Sequence, residues 1–338
     1  MKGWILEKPN TLVEKEISEV ESASSSAKVK ITKTLLTLSD VLRYSGHEDC
    51  ENVALGSYGI GIVSETDVNL LDLEQGKHVF IEALRSCDDC NFCKDCDKEK
   101  CSSLKVAGAD FNGFLMDFKT EEINSLYSLP ESVDDFSALF IGYISNAIAI
   151  VDKLNIQKGD YVAIVGANNF GNILAQLLMY YQAVPIVCTQ DDEDEQMAKD
   201  AGVYYVLGKD DNWAKEVSSI TGGRLADSVV YISDCNIPAV KAFSLAAYNA
   251  SVAFTGLTAK SNAISFSQAI KKKLVIHCVN SSYGNTAASI NLLANKAINV
   301  SYLKIKKAKY LDTDKVLSEM ADSFEKEEKF YETIIENN

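Results

Sequence analysis

With 338 residues, 47% of them apolar, the chain is long enough for two domains of about 100 to 200 residues each. Its net charge of -15 leaves no basic stripe for a phosphate backbone, and nowhere do about 18 apolar residues run together, so neither a nucleic-acid partner nor a membrane span is expected. The opening MKGWILEKPN carries no long apolar run, which points to the cytoplasm, where nine cysteines stay reduced.

Residues 1–133 read as a β-rich domain. AKVKITKTLLTL, NVALGSYGIGIVSE and KHVFIEAL alternate or run apolar as strands do, and helical periodicity is scarce. Five cysteines then crowd into SCDDCNFCKDCDKEKC at 86–101. In a reducing compartment such a cluster signals metal before disulfide. Cys87, Cys90, Cys93 and Cys101 give a CxxCxxC pattern with a fourth Cys eight positions on, and four thiolates close a tetrahedron around one structural zinc with no place left for substrate. Cys96 is the spare, and the alternative is a loop of redox thiols without metal.

From residue 134 the texture changes. DDFSALFIGYISNAIAIVDKL has an acidic start and helical spacing. GDYVAIVGANNFGNILAQLLMYYQAVPIVCTQ then reads as strand, Gly turn, apolar helix and second strand, a βαβ unit. DDEDE at 191–195 suits the exposed start of a helix, since carboxylates favour the positive end of the helix dipole. EQMAKDAGVYYVL, SVVYISD, ASVAFTGL and KLVIHCVN continue the alternation to residue 278, so the sheet should be parallel, doubly wound and covered on both faces. Residues 279–338 hold a helix, a strand-like INVSYLKI and a charged final helix through TDKVLSEMADSFEKEEKFYETII, and their simplest role is to pack back on the first domain. Lys271, Lys272, Lys273 and the lysines of 304–309 read as solvated ends of elements.

The turn of the βαβ unit carries Gly166, Asn168 and Gly171 at the three glycine positions of a dinucleotide fingerprint, with Asn169 and Phe170 between them. The first Gly makes the turn, the middle one admits the pyrophosphate, and the last lets helix pack on strand; Asn in the middle costs closeness. At the end of the second strand, Thr189 and Gln190 stand where an acid would grip a ribose hydroxyl. No Lys or Arg follows them before Ala198, which favours NAD(H) over NADP(H).

These pieces, in this order over nearly the whole chain, resemble the medium-chain dehydrogenase/reductase superfamily of zinc-containing alcohol, sorbitol and threonine dehydrogenases. The likeness lies in QGKHVFIEALRSC leading into the four-Cys lobe, KVAGADFNGFLMDF after it, LPESV, KGDYVAIVGANNFG, and SSYG with LLANKAINVSYLKI near the end. The resemblance implies an α/β protein with a GroES-like β-rich catalytic domain and a Rossmann domain. It further implies a homodimer or homotetramer, and hydride transfer between a nicotinamide cofactor and a small alcohol or carbonyl substrate.

It also implies a catalytic zinc, whose ligands are missing. Where the family has Cys before Gly-Ser/Thr-Asp, this chain has Thr37-Leu38-Ser39-Asp40; where it has Gly-His-Glu, this chain has Gly56-Ser57-Tyr58; the third ligand falls near Ile141 and Gly142. A literal Gly-His-Glu at 46–48, with Cys50 beside it, lies about ten residues too early and falls short of the three ligands of a catalytic site. His78 and His277 read as structural. Without a Lewis acid, carbonyl polarisation falls to hydrogen-bond donors, as in the metal-free quinone and enoyl reductases of the family. The candidates are Ser39, at the relay hydroxyl position, and Tyr58, at the former Glu; Thr37 and Ser57 line the vacated pocket or merely fill it, and Asp40 caps locally. A non-catalytic relative that binds a small molecule or serves in assembly is the alternative.

Overall fold

The computed structural model describes residues 1–18, 25–66, 71–95, 98–235, 237–258, 264–280, 283–329 and 331–337; Cys96, Ser281 and Ser282 lie outside them. The chain divides into two units, one of residues 1–142 and 304–338 and one of 143–303.

The first unit begins with a hairpin of β1 (Lys2–Lys8) and β2 (Thr11–Glu16), turned at Asn10 with φ 59°, a left-handed angle that Asn tolerates. β3 (Ser26–Leu36) is the spine, buried along one side by Ala27, Val29 and Ile31. After it comes an element that periodicity did not announce, α1 (Leu38–Tyr44), started by a cap rather than by an apolar stripe. β4 (Val53–Ala54) pairs with β1, and β5 (Tyr58–Thr66) runs antiparallel to β3. The KHVFIEAL run is two strands, β6 (His78–Ile81) and β7 (Leu84–Arg85), broken at buried Glu82. α2 (Asn91–Lys94) forms the Cys lobe, β8 (Lys105–Val106) closes it against β7, and β9 (Phe118–Glu122) and β10 (Leu126–Ser128) pair with β3 and β6. α3 (Asp135–Ala138) ends this stretch, and the division falls inside the first turn of α4 (Ile141–Lys153).

The division lies nine residues beyond the expected boundary at 134, because Asp135 is tied to the strands of the first unit: it meets His78 Nδ1 at 2.8 Å and Lys33 Nζ at 3.4 Å.

In the second unit β11 (Tyr161–Val165), α5 (Asn169–Tyr180) and β12 (Val184–Cys188) form the βαβ core. α6 (Asp192–Asp200), β13 (Tyr205–Leu207), α7 (Trp213–Ile220), β14 (Ala226–Ile232), α8 (Val240–Leu245), β15 (Ala246–Thr255), α9 (Ser267–Lys272) and β16 (Val275–Cys278) follow. All pairs are parallel, in the order β13-β12-β11-β14-β15-β16, the doubly wound arrangement. Lys272 is not a solvated end: its ammonium donates to the carbonyls of Phe243, Ser244 and Ala246, the last turn of α8. The VIHCV run is an exposed edge of the sheet: Val275 is 51% and Ile276 38% exposed.

α10 (Thr286–Ala294) also belongs to this unit, since Ser289 Oγ meets Ser145 Oγ at 2.9 Å and Asn299 N–H donates to Gln176 at 2.7 Å. Only residues from 304 return to the first unit, not those from 279. INVSYLKI is no strand; Val300–Tyr302 is a 3-10 turn, and β17 (Lys306–Lys309) follows it. The final helix, α11 (Thr313–Glu325), stops where Glu327 takes φ 58°, and ETII forms β18 (Thr333–Glu336) between β3 and β17. Ile334 and Ile335 are fully buried there. Burying two isoleucines contributes about 3 to 6 kcal/mol, well beyond the few tenths per residue that helix propensity offers. No helix among the described residues is long and apolar enough to cross a membrane.

Candidate functional site

The Cys lobe gathers its ligands from a short helix and its flanks. Cys90 caps α2 and Cys93 lies three residues on, so both face the same side. Cys90 and Cys93 sulfurs are 3.5 Å apart, Cys87 and Cys93 3.9 Å, and all four, with Cys101, lie within 4.8 Å of one another. Tetrahedral zinc with bonds of about 2.3 Å needs sulfurs about 3.8 Å apart, so these residues fit it. Among the described residues this is the one group of three or more side chains placed to hold a metal. Backbone N–H groups already point at the sulfurs, Cys90 to Cys87 Sγ and Cys87 to Cys101 Sγ, each at 3.4 Å. The lobe is anchored through β7. Arg85 lies 4.0 Å over the Phe111 ring and pairs with buried Glu121, which Lys119 meets at 3.0 Å. Burial alone would raise the Glu121 carboxyl, but the two cations outweigh it and hold it below its ordinary value.

The pocket where a catalytic metal was missing is organised around Asp40, which is fully buried. Its carboxylate accepts from the backbone N–H groups of Thr37 and Gly56 and from Ser57 Oγ, each at 2.9 Å, and from Thr37 Oγ1 at 3.3 Å. Gly56 has φ 105°, the left-handed turn that aims its N–H at Asp40. The Thr37 and Ser57 hydroxyls are thus spent on a carboxylate. Ser39, half-buried on α1, takes no part in these bonds.

Tyr58 decides the space. Its ring lies against Gly142, so close that a Cβ there would stand 2.7 Å from Cδ1 and Cζ. The position expected near the third ligand is therefore a glycine, and the ring it admits comes from the former Glu position. Burial pushes the phenol above its ordinary range, Glu82 and Asp40 push it further, and Arg43 opposes them. The hydroxyl keeps its proton at neutral pH. Glu82 and Arg43 were missed by sequence reasoning, although a lone acid inside the apolar HVFIEAL was a visible signal. In the GHEDC segment, His47 Nε2 meets Glu325 at 2.8 Å and its ring packs edge-on against Phe324. The Cys50 thiol donates to Gly108 O at 3.4 Å.

In the second unit, Gly166 takes φ 107° between β11 and α5, and a Cβ on Gly171 would stand 2.5 Å from Gly166 O. Both glycines do what the fingerprint asks. Asn168 caps α5, its Oδ1 accepting from Gly171 N–H at 3.0 Å, while its Nδ2 donates to both oxygens of Asp234 at 3.0 Å. Asn169 and Phe170 are buried, with Phe170 edge-on to Tyr143, so only their backbones are on offer to a ligand. At the end of β12 the Thr189 hydroxyl accepts from Asp191 N–H at 3.1 Å, and Gln190 is exposed. Asp191 caps α6 as expected of the acidic run, and Asp192 holds Lys209 at 2.7 Å.

Comparison with known proteins places these parts. The alcohol dehydrogenase GroES-like domain matches residues 23–131. An uncharacterized zinc-type alcohol dehydrogenase-like protein of Haemophilus influenzae is 24% identical over 327 residues, 95% of each chain. Sorbitol dehydrogenase of Halalkalibacterium halodurans is 26% identical over 283 residues, 82% of each. Among solved structures, an alcohol dehydrogenase of Escherichia coli complexed with the cofactor NADH superposes with a TM-score of 0.84 at 21% identity, over 99% of both chains. The matched domain and these relatives support a place in the medium-chain dehydrogenase/reductase superfamily. The first unit is its GroES-like domain and the second its Rossmann domain. Against the superfamily's pattern, the four-Cys lobe and the two outer glycines of the turn are kept, whereas Thr37, Ser57, Tyr58 and Gly142 stand in the segments where the catalytic-zinc ligands would be.

Proposed function

We propose that this protein is a nicotinamide-linked oxidoreductase of a small alcohol or carbonyl compound, with zinc confined to the lobe and a metal-free centre built on Tyr58. The observation that carries this is the Tyr58 ring packed on Gly142 with its hydroxyl kept protonated. A bound nicotinamide dinucleotide would supply the hydride; Gly166, Gly171 and the backbone between them, with Thr189 and Gln190, would hold it. Tyr58 would donate a hydrogen bond to the substrate oxygen, stabilising charge as it develops. Asp40 holds the Gly56-Ser57 turn and so fixes where Tyr58 begins. Ser39 is the second hydroxyl of this proposal.

NAD(H) is favoured over NADP(H), because acids follow Gln190 and the nearby Lys209 is already paired with Asp192. A titration of the zinc-loaded protein followed by nicotinamide fluorescence should show saturable NADH binding, tighter than NADPH by about tenfold, a like-charge penalty of about 1.4 kcal/mol. Absence of binding by either would favour the second reading, a non-catalytic relative, for which the Asn168–Asp234 contact in the phosphate turn speaks.

Assembly as a homodimer or homotetramer in the cytoplasm belongs to the same proposal. β16 leaves an apolar sheet edge open, with Ile270 of α9, 75% exposed, in the same stretch of chain. Light scattering at micromolar concentration should return a multiple of the 37.0 kDa chain mass, and a monomer there would remove the assembly.

A further inference from the structure

The positive end of α5 already has an anion. Of the N–H groups that open this helix, that of Gly171 is taken by Asn168 Oδ1, and the Asn168 amide passes the attraction on to the two oxygens of Asp234. Asp234 is placed by the sheet. It follows β14, the neighbour of β11, and the next residue, Cys235, presses its sulfur on the turn: Sγ lies 3.4 Å from Val165 O and 2.8 Å from where a Cβ on Gly166 would be. The carboxylate is thus held over the turn by side chain and backbone together. A middle glycine would leave that space open and uncharged.

We propose that Asp234 is an affinity-determining residue of the dinucleotide site, an inference that rests on the nicotinamide-linked function above. Held by Asn168, its carboxylate stands in for the cofactor's phosphate charge, and an incoming pyrophosphate must displace or repel it. Binding is weaker than the two retained glycines would give, and one side chain sets the difference.

The test is NADH titration of four zinc-loaded proteins: the unchanged chain, Asp234→Asn, Asn168→Gly, and both together. Asp234→Asn keeps the size of the side chain and one oxygen for the Asn168 amide, and removes the charge together with the second acceptor. Its Kd is expected to fall by at least about tenfold, given the energy of like charges a few ångströms apart near a protein surface. Asn168→Gly, which removes the amide that holds the carboxylate over the turn and reopens the middle of the turn, should tighten binding in the same direction. Asp200→Asn, titrated as a fifth protein and control, is a change of equal charge at the far end of α6 and should leave Kd unchanged. Thermal unfolding of each variant checks that it is folded. If the unchanged chain binds NADH and Asp234→Asn binds no better, the inference is overturned while the proposed function stands. If none of the four binds NADH, the proposed function falls and the inference with it.

Discussion

Replacing Cys93 by Ser is expected to take the zinc content from one per chain to none and to unfold the lobe at 86–101. Structural zinc contributes about 10 to 16 kcal/mol of binding energy to a small site, as much as the whole stability of a typical domain, and the lobe has little apolar core to substitute for it. Cys93 is the most buried of the four sulfur-bearing residues, 6% exposed, so its loss cannot be covered by water without opening α2. The stem should survive, because Arg85 is clasped by Glu121 and Phe111 independently of the metal. Elemental analysis and limited proteolysis read the two effects, with cleavage confined to the lobe. Cys96→Ser should keep its zinc, since the four sulfurs form a complete set without it. Two zinc atoms per chain in the unchanged protein would sink the claim that the old catalytic pocket holds none.

Gly142→Ala should destabilise the first unit although it replaces a glycine within a helix. The intrinsic gain of Ala over Gly is about 1 kcal/mol, whereas forcing a methyl into the half-buried Tyr58 ring is overpacking that costs about 1 to 3 kcal/mol, because the atoms it meets are rigid ring carbons. Tyr58→Ala in the same chain should recover part of the loss, giving a coupling of at least about 1 kcal/mol in a double-mutant cycle. Additive effects would show that ring and helix do not share the space. Tyr58→Phe separates the two roles of the residue. The ring still fills the pocket, so the thermal midpoint should hold, while any reductase turnover should drop at least about tenfold through loss of the hydrogen-bond donor. Unchanged kinetics would remove the hydroxyl from the mechanism.

Much of the architecture was written in local patterns. The βαβ unit was legible because two buried strands flank a helix with a Gly turn at its head, and each of these signals spans only a few neighbouring residues. The lobe was legible for the same reason, since zinc ligation fixes the spacing of its cysteines along the chain. The errors fall where partners are distant. ETII became β18 because the edge of β3, some three hundred residues earlier, offered both hydrogen bonds and burial. The division at 142 and 304 depended on which strands Asp135 and which helix Ser289 would meet.

The site divides in the same way. By itself the sequence placed four cysteines at zinc-ligand spacing in the lobe and other residue types at Thr37, Ser57, Tyr58 and Gly142, because ligand chemistry is a property of residue type. Only the tertiary structure decided what replaced them. Asp40 collects donors from two separate segments, Tyr58 reaches Gly142 across 84 positions, and Asp234 reaches Asn168 across 66. A hydrogen bond or a ring contact depends on distance in space, which sheet pairing sets and residue spacing does not.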